Sequence, residues 1–259
     1  MAICPIKAIV IAILSALAHI QIVQSRIHSS SDHLHQALIR KSSIMLEPYI
    51  HQLNNLKIVL ASSSPRRSQL LKSIGLKFEV IPSNFDESSV SVSKFKNYGD
   101  FVSELAYKKA MEVSDRLREE NIDVDLIIGA DTIVAINEMV LGKPKDEEEA
   151  KEFLTKLSGN THSVLTGVAI LSKGRNSRFS NQTEVTFSKL TPEVIAAYIK
   201  TGEPLDKAGA YGIQGKGGSL IEKVSGDPFN VVGFPLSAFC THLIQDVLPH
   251  DNLKHVLNN

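Results

Sequence analysis

Arg66 and Arg67 follow three serines and a proline in Ser62-Ser63-Ser64-Pro65-Arg66-Arg67. Ser64 suits a helix N-cap and Pro65 the first helical position. The free N–H groups of a helix start attract anions, and two arginines there oppose the helix dipole unless an anion compensates. Two readings stay open: Ser62, Ser64, Arg66 and Arg67 bind phosphate, or this is a surface turn whose arginines pair with carboxylates. Asp131, followed by Thr132, closes the apolar run 125–130. A carboxylate beyond a strand end can bind a divalent metal, act as a general base, or merely cap a turn. Lys109 falls within an apolar helical stripe, where it either snorkels to the surface or points into a phosphate cleft. Lys143 sits in the turn Leu141-Gly142-Lys143-Pro144. Gln214 lies in residues 209–218, where five of ten residues are glycine. That stretch is a flexible turn, or a backbone that can approach a ligand closely, with Gln214 offering amide hydrogen bonds to a base edge. It matches neither the Walker nor the dinucleotide glycine pattern.

Elements that position these residues follow from periodicity. Residues 57–61 form a short apolar strand, followed by a helix over 65–74 with Leu70, Leu71 and Ile74 on one face and Gly75 as its stop. Asp100 opens a helix to about Glu120, its stripe made of Val102, Leu105, Ala106, Ala110, Val113 and Leu117. Residues 125–130 form a second strand that ends at Asp131. A helix over 146–158, strands over 161–171 and 181–189, and a helix from Thr191 to near Gly202 follow.

The chain has 259 residues, with 28 basic and 28 acidic side chains. Neutrality gives no sign of a nucleic-acid surface, and 43% apolar residues exclude bulk disorder. Cys4 and Cys240 are too far apart in sequence to suggest a disulfide framework or a cysteine zinc site. Residues 1–56 differ from the rest. Residues 8–23 form an uncharged apolar run too short for a stable membrane span, and residues 25–56 are polar and rich in histidine. This stretch reads as a leader plus linker outside the fold, leaving 57–259 as the folded body. A targeting segment, a membrane anchor and an early gene start compete as explanations.

Together the motifs L-A-S-S-S-P-R-R (60–67), G-A-D-T (129–132), L-G-K-P (141–144), L-S-G-N-T-H (157–162), E-P-L-D-K-A-G-A-Y-G-I-Q-G (203–215) and N-V-V-G-F-P-L (230–236) resemble the Maf family of nucleoside triphosphate pyrophosphatases. The resemblance spans about residues 57–245. It implies an α/β fold, an elongated mixed β-sheet flanked by helices with a deep central cleft between two lobes, as in Maf and ITP-pyrophosphatase proteins. It also implies hydrolysis of a nucleoside triphosphate to the monophosphate and pyrophosphate with Mg²⁺ or Mn²⁺, in a cytoplasmic homodimer. Residues 1–25 leave a secretory or organelle-targeted alternative. Asp131 is the implied general base, Glu87 and Asp131 the implied metal ligands, and Ser62, Ser64, Arg66, Arg67, Lys109, Thr132, Lys143 and Gln214 the implied substrate contacts. Arg66, Thr132 and Gln214 match the dTTP/UTP-type subgroup. A non-catalytic nucleotide-binding regulator of cell division is the competing reading, and a secreted or membrane-attached hydrolase of another phosphate ester is a third.

Overall fold

The apolar runs become strands of one sheet. The computed structural model describes residues 45–248. β1 (Ile58–Ala61), buried along its whole length, pairs in parallel with β2 (Glu79–Val80) and with β3 (Leu126–Ile136). β3 runs antiparallel to β4 (Met139–Leu141) and β5 (Thr161–Ser172), β5 to β6 (Ser177–Phe187), and β6 to β7 (Ile221–Ser225). The order is β2-β1-β3-β5-β6-β7, with β4 on β3 alone. This is the expected mixed sheet.

The helices are α1 (Ile50–Leu53), α2 (Pro65–Ser73), α3 (Tyr98–Glu119), α4 (Glu147–Leu157), α5 (Pro192–Ile199), α6 (Pro228–Val232) and α7 (Leu236–His242). Strand alternation sends successive side chains of β3 to opposite faces. Ile127, Ile133 and Ala135 share one face with Val102, Leu105, Ala106, Ala110 and Val113 of α3. Val134 and Ile136 share the other with Phe153, Leu154 and Leu157 of α4 and Ile195 and Ile199 of α5. α3 lies unusually close to β3: a Cβ on Gly129 would stand 2.3 Å from the Ala106 carbonyl oxygen.

Several boundaries differ from expectation. The strand expected to stop at Asp131 continues to Ile136 because β5 pairs with it over residues 126–135 and β4 over 134–136. α3 starts a little earlier than expected, capped by the Asn97 side chain accepting from the Asp100 N–H at 2.8 Å. β6 begins at Ser177, paired with Ile170. The last part of the expected linker also belongs to the fold: Leu46 and Leu53 are buried. Asn54 donates to the Gly75 carbonyl at 3.0 Å and accepts from the Lys77 N–H at 2.7 Å. The apolar run at 8–23 lies outside the described residues, and among the described residues no helix is long and apolar enough to cross a membrane.

Candidate active site

On one edge of β3 the neighbouring strand changes. β1 ends with Ala61 opposite Gly129, and β4 takes over with Leu141 opposite Val134. Residues 130–133 therefore have no strand beside them on that edge, and a cleft of about 330 Å³ opens there. Crevices beyond strand carboxyl ends are the usual ligand sites of open α/β sheets. Every residue singled out from sequence lines this cleft: Ser62, Ser64, Arg66, Arg67, Glu87, Lys109, Asp131, Thr132, Lys143 and Gln214.

Alternation along β3 places Asp131 two residues beyond Gly129, on the face covered by α3. Ala106 and Ala110 meet Gly129, which brings Lys109 over Asp131. The ammonium stands 2.7 Å from Asp131 Oδ1 and 2.6 Å from Glu87 Oε1. Lys109 therefore does not snorkel. Its side chain is 13% exposed and that of Asp131 9%, whereas that of Glu87 is half exposed. The charge on an otherwise apolar stripe is compensated inside the cleft.

The paired arginines divide the two readings of their turn between them. Arg66 bonds Asp206 at 3.1 Å, as the surface-turn reading expects. Arg67 bonds only neutral acceptors: the Gly233 carbonyl (2.9 Å), Ser62 Oγ (3.0 Å) and Thr132 Oγ1 (2.9 Å). Burial lowers the Arg67 pKa, while nearby Asp131 acts in the opposite direction. A guanidinium so desolvated without a hydrogen-bonded carboxylate is suited to an incoming anion. Thr132 is tied inward. Thr166 Oγ1 donates its single proton to the Asn230 carbonyl (3.0 Å), so across the 2.9 Å contact Thr132 donates to Thr166 while accepting from Arg67. Thr132 thus holds Arg67 in place. At the start of α2 the Ser64 side chain makes no cap hydrogen bond. Its N–H donates to Ser62 Oγ at 3.3 Å.

The opposite wall is the glycine-rich segment. Gly209, at φ +69°, packs where a Cβ would stand 2.7 Å from Val134, which lays the segment against β3. Three residues of this wall escaped sequence reasoning. Lys207 donates to Asp206 and to the Glu203 carbonyl at 2.7 Å. Asp206 is held below its usual pKa because hydrogen bonds from Lys207 and Arg66 outweigh the upward push of burial. Tyr211 meets buried His162 Nε2 at 2.7 Å, and burial lowers the His162 pKa to about 4, so the imidazole is neutral near pH 7. These residues lie in the 157–162 and 203–215 motifs, but no periodicity distinguishes cleft-lining side chains within a turn. A serine, histidine and aspartate also meet at Ser177, His242 and Asp246. There Ser177 Oγ (2.8 Å) and His242 Nδ1 (2.6 Å) both lie on the same Asp246 oxygen, and the same Nδ1 stands 3.3 Å from Ser177 Oγ, so one imidazole nitrogen faces both groups, whereas a serine–histidine–aspartate triad divides them between its two nitrogens.

Residues 57–246 match the family described as Maf-like protein. The chain is 46% identical to the "Probable bifunctional dTTP/UTP pyrophosphatase/methyltransferase protein" of Homo sapiens, over 80% of this chain and 34% of that protein. It therefore spans about a third of the length of that relative. It is 48% identical to a "dTTP/UTP pyrophosphatase" of Bacillus cereus, over 73% of this chain and 95% of that protein. Among solved structures, that of the Staphylococcus aureus Ham1 protein aligns with a TM-score of 0.34 at 17% identity, covering 64% of this chain and 79% of that one. The match over most of the described fold, motifs and cleft included, places the chain in the Maf-like protein family.

Proposed function

We propose that this protein is a nucleoside triphosphate pyrophosphatase that hydrolyses dTTP and UTP to the monophosphate and pyrophosphate. The observation that carries the reading is the convergence on one cleft of Asp131, bonded to Lys109, with Arg66, Arg67 and Lys143. A polyanion needs several cations, and its hydrolysis needs a base held near the attacked phosphorus. The names of the human and Bacillus cereus relatives, dTTP/UTP pyrophosphatases both, support the same substrates.

Asp131 orients and deprotonates the water that attacks the α-phosphorus in line, and pyrophosphate leaves. Lys109 fixes the direction of the Asp131 carboxylate through Oδ1. Arg66, Arg67, Lys109 and Lys143 bind the β- and γ-phosphates, with Arg67 oriented by Ser62, Thr132 and Gly233. Ser62 and Ser64, beside the first turn of α2, add hydrogen bonds. Gln214 contacts the base edge.

The donor set suits a hard divalent cation. Glu87 and Asp131 supply carboxylate oxygens, and among the described residues no group of three or more His, Cys, Asp or Glu side chains could cage an ion. Mg²⁺ is usually held this way, by one or two carboxylates plus substrate phosphates. Glu87 and Asp131 would hold Mg²⁺ or Mn²⁺, which supplies charge neutralisation on the phosphate oxygens.

The test is pyrophosphate release by the full chain with dTTP, UTP, CTP, ATP and GTP in the presence of Mg²⁺. Preferential formation of UMP and dTMP with pyrophosphate is expected. Nucleotide binding without product would favour the regulator of cell division instead.

A further inference from the structure

The glycine-rich wall has its own clamp. Glu203 places Oε1 3.0 Å from the Tyr198 hydroxyl and 3.1 Å from the Gly217 N–H, and Oε2 2.9 Å from the Lys216 N–H. The Tyr198 hydroxyl donates to Glu203 and accepts from the Gly212 N–H at 3.3 Å. One carboxylate–phenol pair therefore ties down both ends of residues 212–217. Between the ties, Ile213, Gln214 and Gly215 line the cleft. The clamp is itself anchored: Tyr198 is buried in the core with α4 and α5, and Lys207 donates to the Glu203 carbonyl.

The glycines fit this clamp sterically. A Cβ on Gly215 would stand 2.4 Å from Glu203 Oε1, and one on Gly217 2.4 Å from the Tyr198 hydroxyl oxygen. Burial pushes the Glu203 pKa up, but the Gly217 and Lys216 amides and the Tyr198 hydroxyl outweigh it and hold it below the usual range. The ionised group only accepts hydrogen bonds, and its partners here are all donors.

We infer that Glu203, acting with Tyr198, is a positioning residue that fixes the 212–217 segment so that Gln214 meets the nucleobase, and thereby sets discrimination between bases. The inference rests on the pyrophosphatase reading. Glu203 touches no reacting atom, so its loss acts on recognition rather than on the chemical step.

The test uses the full chain, wild type and Glu203→Gln, with UTP, dTTP, CTP, ATP and GTP. Hydrogen–deuterium exchange of the 212–217 amides is followed in parallel without nucleotide. A glutamine keeps the size but offers one acceptor oxygen in place of two. KM for UTP and dTTP is expected to rise roughly tenfold, on the scale of one lost hydrogen bond. kcat should change less than KM, the preference for pyrimidines should shrink, and exchange at residues 216 and 217 should quicken. Tyr198→Phe, which removes only the shared hydroxyl, should act in the same direction more weakly, and it serves if Glu203→Gln does not fold. Unchanged discrimination, or equal losses for every nucleotide, would overturn the inference while leaving the activity standing. If the wild type releases no pyrophosphate, the functional reading fails on its own. Unchanged amide exchange in the variants would then still overturn the clamp.

Discussion

The two walls of the cleft are built differently. The first, made by β3, α2 and α3, presents Asp131, Lys109, Arg67 and Thr132, each held by a charged or hydrogen-bonded partner at or beneath the surface of the core. The second, residues 203–218, is a chain of short turns shaped by one carboxylate and one phenol. Strand alternation and close helix packing fix the first wall wherever the core forms. The second packs Ala210 and Tyr211 into the core, while its 212–217 stretch depends on hydrogen bonds to backbone N–H groups. A charge clamp for the phosphates, common to all nucleoside triphosphates, suits the rigid wall. Selection of the base suits the wall whose cleft-lining residues 213–215 lie between two hydrogen-bonded ties.

Substitutions on the two walls should separate these roles. Asp131→Asn is expected to have the largest effect: general-base catalysis is worth about 10²–10⁴-fold in rate, so turnover should fall at least that far while the circular-dichroism spectrum is kept. An active variant would remove Asp131 from the chemistry. Lys109→Met leaves Asp131 and Glu87 facing each other without their shared counter-ion. It should cost on the order of 1–3 kcal/mol in urea unfolding as well as activity, and a neutral result would mean the cleft does not need this cation. The next expectation concerns pH and the buried imidazole beneath Tyr211. His162 has a folded pKa of about 4 against an ordinary value of about 6.5, so between those values the unfolded chain binds a proton that the folded chain does not. Stability should therefore fall as pH drops from about 6.5 to about 4, by up to roughly 3 kcal/mol, and stay level above that window. His162→Gln should flatten this dependence in urea titrations, and an unchanged slope would assign it elsewhere. Gln214→Ala should leave unfolding within about 0.5 kcal/mol of wild type yet weaken discrimination between pyrimidine and purine triphosphates by up to about tenfold. Loss of stability there would contradict the division between walls. Asp206→Asn comes last in its effect on activity: the exposed carboxylate pairs with Arg66 and Lys207, and surface ion pairs of this kind are worth about 1 kcal/mol or less, so a small drop in melting temperature should be the main change.

Much of the fold could be read from residue order. Apolar runs marked the main strands, and the stripe on 102–117 marked α3, because burial imposes periods of two and 3.6 on the chain. Boundaries were less legible. β3 passes Asp131 because β5 and β4 continue the pairing, and partners distant in sequence leave no local mark. Leu46 and Leu53 looked like linker residues because their burial belongs to a segment too short to show a periodic pattern.

Residue type and order alone determined the family likeness, the candidate cations and the candidate carboxylates, because charge, hydrogen-bonding capacity and glycine content belong to the residues themselves. The tertiary structure decided between readings that local chemistry left even. It bonded Lys109 to Asp131, gave Arg66 a carboxylate partner and Arg67 only neutral ones, and turned Thr132 inward to hold an arginine. It also joined Glu203 to amides 13 and 14 residues away. Each of those outcomes depends on which groups meet after the sheet has formed, and a distance between residues remote in sequence is not a property of either one.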